Sequence, residues 1–129
     1  MLLAVHFSAI PTQNYSAKNP TNSSQIRSAL QAFVDGGGTL IQLSGHSHAD
    51  YHFTSPWLAI FSTCAKFESV DVNSEEHQKI TGYEGTIVSP ERIERTASED
   101  AWSVVVVRPQ ARKINLVRFG AGEDREFTF

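Results

Sequence analysis

The sequence predicts a mixed α/β chain with more strand than helix, forming one domain over residues 1–129. Short apolar runs bounded by turn residues, one segment with helical spacing, and a C-terminal pair of strand-like runs around a turn carry that prediction. Leu2-Leu3-Ala4-Val5 is a continuous apolar run suited to a strand buried on both faces, with His6 at its end. It begins directly after Met1 with no cap or turn ahead of it, as expected of a chain that continues upstream. From Phe7 to Ser23 the prolines and asparagines show no apolar period, and a loop of this length in a compact domain is usually functional or mobile.

A helix is expected next. Asn22, Ser23 or Ser24 can cap it, Ile26, Leu30, Phe33 and Val34 recur on one face, and Gly36-Gly37-Gly38 ends it. Those glycines follow a helix instead of opening one, so they read as a C-cap and not as a phosphate cradle. Thr39 to Leu43 is a strand, which makes strand, helix and strand a parallel crossover with His6 and His46 both at carboxyl ends. Trp57 to Phe61 reads as another strand, with Cys64 as its furthest limit and Phe67 to Val72 extending or following it. Between Asn73 and Asp100 loops are expected, with one helical turn at Ser74 to Lys79 and a strand-like piece at Gly85 to Val88. Trp102 to Arg108, Pro109 to Arg112 and Lys113 to Phe119 form a β-hairpin pattern, and Arg125 to Phe129 adds an edge strand. Ile114, Leu116 and Arg118 alternate with Asn115, Val117 and Phe119, as in a sheet covered on at least one face; Trp57 and Trp102 are expected in the core.

With 129 residues and 40% hydrophobic content, the chain can bury a real core. A net charge of −3, scattered along the chain, argues against nucleic acid or an anionic membrane as a main partner. No stretch approaches the roughly 20 apolar residues of a membrane span, and the start lacks a signal peptide's pattern. The single cysteine, Cys64, excludes an internal disulfide, reads as a small buried residue and fits a reducing compartment, so a cytoplasmic protein is expected.

The chemistry concentrates at Gly45-His46-Ser47-His48, where two imidazoles follow a strand at i and i+2. An extended chain lets both rings approach one point, Gly45 allows a sharp turn, and neutral imidazole is the commonest metal ligand. A stably held cation usually takes three or four protein donors, so the supply of further ligands decides the function. Asp50 and His52 lie close enough in sequence to act as a substitute ligand or as a hydrogen-bonding support. Asn14, Tyr15 and Lys18 are candidate substrate contacts in the loop after His6, and His77 reads as a solvated residue in an acidic stretch.

A strand ending in His6, a helix, a strand ending in Gly45-His46-Ser47-His48 and a C-terminal hairpin together resemble the calcineurin-like metallophosphoesterase family. The run Val117 to Arg125 looks like the closing segment of its bacterial and phage members. The resemblance covers this whole chain but only the C-terminal part of that family's domain. It implies the C-terminal half of a β-sandwich flanked by helices, and a centre where two divalent ions, manganese, iron or zinc, act on a phosphate ester. It also implies His48 as a ligand of the first metal, and His6 and His46 as ligands of the second. The family's remaining motifs, Asp-x-His, Gly-Asp and Gly-Asn-His, come from an N-terminal half, and this chain reads as holding none of them.

Without a bridging carboxylate two dications repel one another. The expectation is therefore a partial domain, inactive until the missing half joins it. The alternative is a non-catalytic, self-associating module with at most one weakly bound metal; a third reading is an independent metal-binding protein with chance similarity. Loss of half a two-layer fold leaves apolar surface, so the first two readings predict a homodimer, a higher assembly or association with the missing half.

Overall fold

The computed structural model describes residues 1–6, 8, 22–46, 49–62, 90 and 92–129. Strands β1 (Leu2–Val5) and β2 (Ile41–Ser44) run parallel, with Leu2 opposite Ile41 and Val5 opposite Ser44. Parallel neighbours need a crossover, and helix α1 (Ser23–Asp35) lies in it. Strands β3 (Tyr51–Phe53) and β4 (Leu58–Phe61) complete a four-stranded sheet in the order β1-β2-β4-β3. Because β4 is parallel to β2, the carboxyl ends of β1, β2 and β4 share one edge of the sheet. A second, antiparallel sheet has the order β5-β6-β7, from β5 (Ala101–Arg108), β6 (Lys113–Gly120) and β7 (Arg125–Thr128).

The alternation of side chains along β2 and β4 builds two cores. Leu40, Trp57, Ala59 and Phe61 join Tyr51 on one face, where Leu30 and Val34 of α1 and Leu3 pack against them. Ile41, Leu58 and Ile60 point the other way and meet Ile114 and Leu116 of β6. The result is three layers: helix, mixed sheet, antiparallel sheet. Ile60 and Ile114 are completely buried where the sheets meet, each worth roughly 1.5–3 kcal/mol of transfer free energy.

Several sequence expectations need correction. The central strand begins at Ile41 and runs to Ser44, two residues later than its apolar run starts. Strand β3 was not expected, because three residues are too few to show a period. Asn22 occupies the N-cap position of α1 without a side-chain cap hydrogen bond, whereas the glycine stop holds: the Gly37 N–H reaches the Val34 carbonyl at 2.9 Å, with Gly37 at φ 89°. On α1, Ile26 and Phe33 stay exposed while Leu30 and Val34 do the packing. Trp102 is 42% exposed and stacks on Phe119, so it is not a core residue. Its face of β5 and β6, with Val104, Val106 and Val117, remains exposed, because the four-stranded sheet packs only on the opposite face.

The expected elements at Phe67–Val72, Ser74–Lys79 and Gly85–Val88, together with Cys64 and His77, lie outside the described residues. Among the described residues no helix is long and apolar enough to cross a membrane.

Candidate metal centre

Three chain segments leave the four-stranded sheet at its carboxyl edge, carrying His6 after β1, Gly45 and His46 after β2, and Ser62 after β4. In sheets of this kind ligands collect beyond the carboxyl ends of parallel strands. A cavity of about 390 Å³ lies there. His6, His46, Ser44, Ser62 and Ser103 give it polar groups, and Val5, Leu43, Val105 and Leu116 give it apolar walls, so both sheets contribute.

The two imidazoles meet in it. Nδ1 of His46 is 3.0 Å from Nε2 of His6, with the rings edge to face at a centroid distance of 4.8 Å. The sharp turn anticipated at Gly45 is made by His46 itself, which adopts φ 58°. A non-glycine residue in the left-handed region costs of order 1 kcal/mol or more and persists when its surroundings require it. Here that conformation accompanies the approach of the His46 ring to His6.

A nitrogen–nitrogen distance of 3.0 Å suits an N–H···N hydrogen bond between neutral rings, one donating and one accepting. It equally suits two ligands on one cation, since imidazole binds zinc at about 2.0–2.1 Å and neighbouring donors then stand roughly 3 Å apart. Two imidazoles fall short of the three or four donors of a stably held cation, and among the described residues no group of three or more His, Cys, Asp or Glu is arranged to hold a metal, so these residues supply two ligands of an incomplete set. His48, Asn14, Tyr15 and Lys18 lie outside the described residues.

Asp50-Tyr51-His52 does spell Asp-x-His, which corrects the reading that the chain lacks that motif. Its two ends are engaged elsewhere. Asp50 accepts from Nη2 of Arg118 and, at 3.4 Å, from Nη2 of Arg125, an ion cluster that joins the approach to β3 to strands β6 and β7. The His52 ring packs against Phe127 at 4.9 Å, and burial, with a smaller contribution from Arg125, lowers its pKa below the ordinary 6.5. Neither residue lines the cavity with His6 and His46. Asp50 is nevertheless close to it, because Arg118 also approaches the Oγ of Ser62 at 3.5 Å.

One residue of this region escaped the sequence reading. Gln42 lies in the middle of β2 and is completely buried. Its Nε2 donates to Ser8 Oγ at 2.8 Å and Ser44 Oγ at 2.9 Å, while its Oε1 accepts from the indole N–H of Trp57 at 3.3 Å. The available signal was a lone amide in the apolar run Leu40 to Leu43, since a buried polar side chain requires partners.

Compared with protein-family models, curated proteins and solved structures, the chain matches none.

Proposed function

We propose that this chain is the C-terminal segment of a metal-dependent phosphoesterase, inactive alone and completed by an N-terminal half that supplies carboxylates. The observation that carries the reading is the convergence of His6 and His46 to 3.0 Å at the carboxyl edge of a parallel sheet, inside a cavity shared by two sheets. Supporting it are the three-layer architecture and, among the described residues, the absence of a third metal-ligating side chain grouped with the imidazoles. In the family that the sequence resembles, two bound divalent ions polarise a phosphate ester and activate a water. This chain's own contribution is narrower: two imidazoles approach each other in a cavity whose walls are partly apolar.

The test titrates the isolated chain with zinc or manganese and follows aryl phosphate hydrolysis, with His46→Ala as control. Metal binding that requires His46, without turnover, is the expected result. Metal-dependent turnover by the isolated chain overturns the inactive-segment reading.

A second reading is favoured by one observation, the exposed apolar face formed by Trp102, Val104, Val106, Val117 and Phe119. A patch of this kind marks an interaction surface, and in this reading the chain is a self-associating, non-catalytic module holding at most one ion.

A further inference from the structure

We propose that Gln42 is a positioning residue for the imidazole pair. It rests on the reading of His6 and His46 as ligands of one ion, and adds what sets the distance between them. His6 and His46 leave different strands, and nothing in a β-ladder fixes how far two loops diverge once pairing ends. Ser8 lies two residues beyond His6, and Ser44 two residues before His46. The single amide nitrogen of Gln42 donates to both hydroxyls, at 2.8 Å and 2.9 Å, and so ties the exit of β1 to the end of β2.

The amide itself has little freedom. Its two N–H groups are directed to the serines, and its oxygen takes the indole N–H of Trp57, which is itself buried. Trp57 also fixes the amide's orientation, because an indole N–H can only donate and must therefore face the oxygen. A rigid tie of this kind lets the two ring nitrogens stand at 3.0 Å, where a flexible loop would hold them at many distances. A chain of supporting hydrogen bonds is how ligands are oriented around metals in general.

Ser8→Ala cuts the tie between the exit of β1 and β2 while leaving Gln42 bonded to Ser44 and Trp57; Ser44→Ala is the control, because Gln42 belongs to β2 itself and keeps its bond to Ser8. Two readouts separate positioning from simple stability. The first, on the metal-free protein, is NMR detection of the coupling across the His6–His46 hydrogen bond. It is expected in the wild type and in Ser44→Ala and lost in Ser8→Ala, with the remaining amide spectrum preserved. The second is zinc affinity of the full chain, expected to fall roughly 10–100-fold in Ser8→Ala, the usual cost of removing a support to a ligand.

Coupling that survives in Ser8→Ala overturns the proposal, as does its absence from the wild type. Loss of coupling in Ser8→Ala, with no zinc bound by the wild type, leaves Gln42 as the positioning residue and removes the metal reading instead.

Discussion

Replacing Asp50 with alanine takes away the carboxylate that lies between two guanidinium groups. The Asp50 side chain is 6% exposed and that of Arg118 2%, whereas Arg125 reaches solvent at 18% and stands 3.4 Å away. Removing one partner of a buried pair costs about 3–5 kcal/mol, because the remaining charge stays desolvated. Arg118 falls under that figure; Arg125 hydrates more easily and adds less. A loss of about 4 kcal/mol is a large share of the ~5–15 kcal/mol that stabilises a typical domain. With a urea slope of about 2 kcal/mol/M, it moves the unfolding midpoint down by roughly 2 M. Arg125→Ala is the comparison, expected to cost less, about 1–2 kcal/mol, because it loses the longer contact to Asp50 and a hydrogen bond to the Phe61 carbonyl at 3.0 Å but strands no buried charge as isolated as Arg118. Urea unfolding followed by tryptophan fluorescence reads both variants. A midpoint for Asp50→Ala close to wild type, or equal to that of Arg125→Ala, refutes the assignment of Asp50 to an ion cluster joining the sheets. Zinc affinity lost without stability would restore Asp50 as a ligand.

Two further predictions concern pH and one concerns assembly. His52 has a folded pKa depressed below 6.5, first by burial and then by Arg125, so its contribution to stability is present above 6.5 and disappears as pH falls through the lower folded value. Denaturation midpoints measured on either side of 6.5 should differ less in His52→Gln than in wild type, and an unchanged difference removes His52 as the cause. Hydrogen bonds from Lys113 and Asn115, with the charges of Lys113 and Arg108, hold the Glu126 carboxyl at about 2, below its ordinary 4.5. Its contribution is therefore complete above 4.5 and is lost as pH falls toward 2; NMR titration of its side-chain carboxyl should show the depressed midpoint, which Lys113→Met raises. If the chain self-associates through the exposed apolar face of β5, Val104→Lys, which places a charge there, should show weaker association than wild type in sedimentation. Equal association locates the interface elsewhere.

The legible parts of the fold were those whose pattern is local. Leu2 to Val5, the helix from Ser23 and the hairpin around Pro109 each declare themselves by period or by turn residues, although β1 is not buried on both faces as its apolar run suggests, since Leu2 and Ala4 are exposed on a strand paired on one side to β2. Strand β3 did not, because Tyr51-His52-Phe53 becomes a strand only through its pairing with β4, a partner that local pattern does not supply. Trp102 illustrates a different limit: an aromatic residue in an apolar strand is buried only if a layer covers its face, and the four-stranded sheet covers the other one. In the site, His6 and His46 were found from strand ends and spacing, and the structure brings them together. The left-handed turn at His46 and the tie through Gln42 depend on neighbours distant in sequence, Ser8 being 34 positions from Gln42. Asp50 was singled out for proximity to His46, but its partners Arg118 and Arg125 come from the far end of the chain.

Anomalous diffraction from crystals of this chain equilibrated with zinc tests the central claim most directly. One ion is predicted between the rings, about 2.0–2.2 Å from Nε2 of His6 and from Nδ1 of His46. Density for no ion there at saturating zinc contradicts the account. So does a pair of fully occupied ions held without a carboxylate from another chain.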